Sequence, residues 1–246
     1  MEEYFVAYID FLGIKNKINK NPEKTFEDLD KIYDEIAQNI AQNNKLVFPD
    51  SKLYSDIKIS IFSDNIAIFT PNNGSSSSFT MFLKRVAIFQ ATALKNGYLT
   101  RGAVSKSKLN FNSWVENENK IIADIISGPA LVKAVDMENT SAIYPRIILD
   151  FDIKEETYFP YLENDIDNFR YIKYFDTLYE IFKRESEDDE QILNKINTLL
   201  NDLYKNEVIN NREINFKVKQ KYNWLISKYN QYCIEQNREK YKITLE

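Results

Sequence analysis

The chain contains no histidine, a single cysteine and only five glycines in 246 residues. Without histidine there is no Ser-His-Asp or Cys-His nucleophile system, no histidine-ligated zinc and no imidazole general base. A lone cysteine, Cys233, forms neither an internal disulfide nor a cysteine-rich zinc site, and is expected to be a small buried filler. Long apolar runs are missing too, none approaching the roughly 20 residues that span a bilayer. The opening Met1-Glu2-Glu3-Tyr4 lacks the basic region of a secretion signal, so the cytoplasm is the expected compartment and no membrane partner is expected. Basic charge is in deficit: 32 Lys and Arg stand against 37 Asp and Glu, giving a net charge of −5. General binding to duplex nucleic acid, which needs a basic face to displace counterions, is not expected.

What remains is an aromatic-rich globular chain. A hydrophobic fraction of 43% with 16 Tyr and 16 Phe supports a substantial core, enough for one large domain or a core domain with an appendage. Any chemistry must come from carboxylates, lysines, arginines, hydroxyls and hard metal ions. Mg²⁺ and similar cations take oxygen ligands, shared between one or two carboxylates and substrate phosphates.

Two apolar stretches each run into an aspartate. Tyr4 to Ile9 leads to Asp10 and then to the turn Phe11-Leu12-Gly13-Ile14, and Ile57 to Phe62 leads to Ser63-Asp64 before a second apolar half, Ile66 to Phe69. Each reads as a buried strand, rich in β-branched and aromatic residues. A carboxylate buried there is costly unless a cation or hydrogen-bond donors compensate it. Two on adjacent strands would make a divalent-metal site, and the glycine turn could present backbone N–H groups to a phosphate. The alternative is structural, since aspartates at strand ends also form turns and cap helices.

Along the chain, apolar spacing predicts a helix over about 25–42, a hairpin at Asp64, and an exposed mobile loop over the serine run Ser75 to Ser78. A second helix is expected over 79–96 with Gly97 as its cap, then strands over 98–104 and 120–126 joined by hairpin material around Trp114. Ser127-Gly128-Pro129 opens a short helix, and Tyr144 to Asp150 is expected to close the sheet. With the helices gathered on one face, this is an α+β sandwich of the ferredoxin-like kind spanning 1–150. Residues 151–246 read as a helical extension, with helices over 189–206 and 215–235 and a solvated acidic run from Glu185 to Glu190.

In order and spacing, Ile9 to Ile14, Ser63-Asp64, Arg101-Gly102-Ala103-Val104, and Gly128 to Glu138 resemble the class III nucleotidyl cyclase catalytic domain, over about residues 4–150. Tyr144 to Ile147 and Lys221 to Leu225 are similar to segments of divergent bacterial cyclase-like proteins, some of which are pyrimidine cyclases in Pycsar antiphage systems. The resemblance implies a cyclase/palm sandwich that converts a nucleoside triphosphate to a 3′,5′-cyclic nucleotide and pyrophosphate. It implies Mg²⁺ or Mn²⁺ held by Asp10 and Asp64, the phosphate turn Phe11-Leu12-Gly13-Ile14, a head-to-tail homodimer and a downstream cyclic-nucleotide effector. The place of the adenine-reading lysine is taken by Ser60, and that of its acidic partner by Ile125, with Asp124 adjacent. The transition-state asparagine and arginine places hold Val132 and Asp136, neither of which donates to a phosphate. Lys133, Arg101, Lys106 and Arg146 are the candidate replacement cations. Three functions stay open: an active cyclase of changed base preference, UTP or CTP being favoured; a nucleotide- or metal-binding regulator without turnover; and a structural partner-binding module.

Overall fold

The computed structural model describes residues 2–47, 57–62, 65–115, 122–157, 161–186, 188–210 and 215–245. Asp64, and the side chains of Asp124 and Trp114, lie outside the described residues.

The first apolar stretch forms β1 (Glu2–Phe11), an interior strand of the sheet paired on both edges. It pairs antiparallel with β3 (Asn65–Pro71) on one side and β4 (Thr100–Val115) on the other, and β2 (Lys58–Phe62) lies outside β3. Alternation along β1 divides two cores. Phe5, Ala7, Ile9 and Phe11 face one side with Ile66 and Ile68, while Val6 faces the other with Ala67 and Phe69. The register places Asp10 opposite Asn65 and Arg101. Gly102, beside Arg101, is required here: a Cβ on it would stand 2.4 Å from the Tyr8 carbonyl oxygen.

After the turn come α1 (Ile14–Lys20) and α2 (Pro22–Val47). Together with α3 (Ser76–Lys95), α2 covers the Phe5 face. The serine run is not a loop but opens α3, because Asn72 and Asn73 accept the N–H groups of Gly74 and Ser75 and turn the chain into the helix. β5 (Ile122–Ser127) pairs with the far half of β4, and α4 (Pro129–Thr140) follows with Pro129 in its first turn. The helices are not gathered on one face. Ala130 and Ala134 seat α4 against Val6, Ala67 and Leu109 on the opposite side of the sheet.

β6 (Ile147–Leu149) runs parallel to β4 but does not close the sheet. Beyond it stand β8 (Arg170–Ile172) and, at the edge, β7 (Leu162–Asn164), so the eight strands run β2-β3-β1-β4-β6-β8-β7 with β5 beside β4. The fold is α+β. The C-terminal helices are α5 (Phe175–Lys183), α6 (Asp189–Tyr204), which continues as a π-helical turn over Lys205–Ile209, and α7 (Phe216–Glu235). Asp188 and Asn215 cap α6 and α7 by accepting main-chain N–H groups. In the acidic run, Glu185 pairs with Lys95. Cys233 is buried on α7, its thiol pushed up by burial, which suits a filler. Among the described residues no helix is long and apolar enough to cross a membrane.

Candidate functional site

The end of β1, the start of β4 and the last turns of α4 meet at a group of charges. Arg101 Nε donates to Asp10 Oδ2 at 3.2 Å, its Nη2 reaches Glu138 Oε1 at 2.7 Å, and its Nη1 donates to the Ala142 carbonyl at 3.4 Å. Glu138 is only 3% exposed. Burial and the charge of Asp10 push its carboxyl up, and Arg101 and Lys221 oppose that. Lys221, from α7, feels the same charges: burial and Arg101 pull its ammonium down, while Asp10 and Glu138 support it. The site therefore draws on β1, β4, α4 and α7.

Asp64 follows β2 and precedes Asn65, the residue that faces Asp10. Phe62 and Asn65 pair across the β2–β3 hairpin. Among the described residues no group of three or more acidic, cysteine or histidine side chains gathers to hold a metal. The donor chemistry of two aspartates still fits a hard cation that fills its remaining positions with water and phosphate oxygens. Arg101, already on Asp10, would share that carboxylate with it.

The glycine turn is partly committed to structure. Phe11 packs its ring against Tyr33, Phe89 and Tyr98, and Ile14 is buried in the same core. The Leu12 N–H donates to the Leu99 carbonyl. Gly13, at φ +78°, has nothing within 4 Å of where a Cβ would stand. It opens on a cleft lined also by Lys17, Lys20, Lys221 and Tyr222. Ser60 stands half-buried on β2 opposite Ala67, which is in turn opposite Tyr8, so it shares the sheet face of Asp10. Two strand spacings and two residues of rise separate Ser60 from Asp10 by roughly 12 Å. Asp124 is in β5 opposite Ser113.

Of the candidate cations only Arg101 touches Asp10. Lys133 is engaged by Asp150 at 2.5 Å and Asp152 at 2.6 Å. Lys106 is opposite Phe5 on β1, five residues from the Asp10–Arg101 pair or about 17 Å along the strand, and it pairs with Glu155. Arg146 is fully buried and bonded to Asp165 and Asp167, with its guanidinium over the Tyr144 and Trp224 rings. It is a structural residue. Val132 and Asp136 point outward from α4, Val132 being 59% exposed.

Sequence reasoning did not single out Glu138 or Lys221 as site residues. Glu138 ends the quoted helix segment and Lys221 begins the Lys-Tyr-x-Trp-Leu segment, so both were in view as pattern without a partner.

No protein-family model matches the sequence, and no curated protein matches it. Several solved structures are similar in backbone arrangement. The adenylyl cyclase CyaB from Pseudomonas aeruginosa superimposes with a TM-score of 0.48 at 11% identity, over 61% of this chain and 78% of that one. A guanylyl cyclase gives 0.46 at 10% identity, over 61% and 77% of the two chains. A bacterial light-regulated adenylyl cyclase gives 0.45 at 10% identity, over 73% and 96%.

Proposed function

We propose that the chain is a metal-dependent nucleotidyl cyclase that converts a nucleoside triphosphate to its 3′,5′-cyclic monophosphate and pyrophosphate. The observation that carries this reading is the convergence at one end of the sheet of Asp10, the paired strand ends Phe62 and Asn65 that flank Asp64 in sequence, and the open Gly13 turn. A Mg²⁺ or Mn²⁺ ion on Asp10 and Asp64 would supply charge neutralisation at the attacked phosphate and ease ionisation of the ribose 3′-hydroxyl.

The chain's own residues do the rest. Arg101 holds the Asp10 carboxylate at a fixed angle through its Nε, and Glu138 holds Arg101 in turn. Asp10, or the substrate's own phosphate oxygens, can accept the hydroxyl proton. The Gly13 turn leaves room for phosphate oxygens next to the main chain. Ser60, on the same face some strands away, lies toward where the base would extend, and its short hydroxyl suits a pyrimidine such as UTP or CTP better than the long lysine that reads adenine. The similarity of Tyr144 to Ile147 and Lys221 to Leu225 to Pycsar-type chains extends the reading to a cyclic-nucleotide signal in antiphage defence, read by a separate effector.

A head-to-tail homodimer is part of the same reading. Val132 on α4 and Ile125 on β5, 59% and 51% exposed, leave apolar surface that a second copy would cover.

A second reading, a nucleotide-binding regulator without turnover, is favoured by one observation: the outward face of α4 presents Val132 and Asp136, which donate nothing to a phosphate. Incubation with ATP, GTP, CTP and UTP and Mn²⁺ separates the two. Cyclic product with pyrophosphate release supports the cyclase, whereas binding without pyrophosphate supports the regulator.

A further inference from the structure

Arg101 is not the only cation on which the charge of Asp10 acts, and the other one, Lys221, comes from far along the chain. Lys221 is in the second turn of α7, three residues before Trp224, so the two side chains share a helix face. Trp224 is locked in place. Its ring stacks on Tyr144 at 5.8 Å with an 11° interplanar angle, and its indole N–H donates to Asp165 Oδ2 at 2.8 Å. Arg146 grips the same Asp165 carboxylate. This clasp fixes the helix that delivers Lys221 to the cleft of the Gly13 turn.

Among the described residues Lys221 makes neither a hydrogen bond nor an ion pair, although it is half-buried. That is an unfavourable state for an ammonium, and an anion bringing several oxygens would relieve it. The surroundings select for such a ligand. Lys17 and Lys20 line the same cleft, with Glu207 as the acid among the described lining residues. Lys17 is held 3.7 Å over the Tyr98 ring, whose hydroxyl donates to Asp28. The wall at Gly13 is open.

We infer that Lys221, supplied by the C-terminal helix of the same chain, binds a phosphoryl oxygen of the polyphosphate in this cleft and takes the place of the donors that α4 lacks at Val132 and Asp136. The inference rests on the cyclase reading for the identity of the ligand, but not for its chemistry. Tyr144, Arg146, Asp165 and Trp224 are then positioning residues. They touch no substrate and act by fixing α7.

The test uses inorganic tripolyphosphate, which has no base and cannot cyclise, titrated calorimetrically into the full chain with and without Mn²⁺. Lys221→Met should weaken binding about tenfold or more, as expected for loss of one charge-assisted hydrogen bond. Lys221→Arg should retain binding, and inorganic phosphate should bind far more weakly than tripolyphosphate. Unchanged affinity in Lys221→Met, or no binding of tripolyphosphate by the wild type, overturns the inference. Should Lys221→Met fold poorly, acetylation footprinting of the wild type decides instead: tripolyphosphate must protect Lys221, and equal labelling with and without it overturns the inference. The cyclase reading is judged separately by cyclic product from the wild type. A chain that binds tripolyphosphate through Lys221 but makes no cyclic nucleotide keeps this site and loses that reading, and one that cyclises equally well as Lys221→Met does the reverse.

Discussion

Arg101 is shared between Asp10 and Glu138, one carboxylate at the strand end and one from the helix packed over it. The guanidinium balances the site's negative charge before any ligand arrives. Under the proposed metal-dependent reading it also competes with the cation for Asp10. Replacing it with methionine leaves Glu138 buried without its partner, so Arg101→Met should lose about 2 kcal/mol of stability in urea unfolding. The same change frees the Asp10 carboxylate, so Mn²⁺ should bind the variant more tightly than the wild type, as read by electron paramagnetic resonance of free Mn²⁺. Weaker binding would mean that Arg101 orients Asp10 more than it competes.

Asp10→Asn separates charge from shape. The carboxamide oxygen can still accept from Arg101 Nε, so thermal unfolding should stay close to that of the wild type. Metal-dependent triphosphate binding should fall on the order of 100-fold or more, because the ion loses an anionic ligand and its charge stabilisation. Asp64→Asn should behave alike. Wild-type affinity in either variant, measured with Mn²⁺ and a non-hydrolysable triphosphate, would remove the paired-aspartate site.

Much of this was legible from apolar spacing, and the misses have physical reasons. The helix expected over 215–235 is Phe216–Glu235, because its apolar stripe is strong and Asn215 caps it. The opposite seating of α4 was hidden, since it packs through two alanines and presents almost no hydrophobic stripe. β7 and β8 are three residues each, too short for alternation to register. The cations were the hardest. Lys133 and Arg101 look equally available in sequence, and only the fold brings Asp150 and Asp152 to one and Asp10 to the other.

The α7 clasp should loosen in acid. Burial alone would push the Asp165 carboxyl up, but the Ile166 N–H, the Trp224 indole and the charges of Arg146 and Lys228 hold it below its ordinary value. A carboxyl depressed in the fold contributes stability that is full above its unfolded value, about 3.9, and is lost as pH falls through the lower folded value. Unfolding followed by Trp fluorescence should therefore show stability declining below about pH 4. Asp165→Asn should flatten that decline while lowering stability at neutral pH. An equally steep acid limb in the variant would place the dependence on other carboxylates.

Association is open to a direct measurement. If Val132 and Ile125 are covered by a second copy, light scattering should give a dimer, and Val132→Glu should shift it toward monomer with loss of turnover but not of folding. A wild type that stays monomeric with and without nucleotide would count against the head-to-tail arrangement.

In the proposed cyclase, base preference turns on Ser60. It lies on the sheet face of Asp10, and its side chain is too short to span a pocket alone. A buried donor or acceptor left unpaired by the wrong base is what rejects that base strongly, and the usual adenine pair cannot form with Ser60 and an exposed Ile125 in those places. Side-by-side turnover should thus show no strong preference for ATP, with UTP or CTP favoured. Ser60→Lys places a long cation at the position that the cyclase resemblance assigns to the adenine-reading lysine, so under the proposed reading it should raise ATP use relative to the pyrimidines by about tenfold if the base stacks over β2. Clear ATP selectivity in the wild type would put the base elsewhere on the sheet, with the metal and phosphate half of the site still to be judged by Asp10 and Lys221.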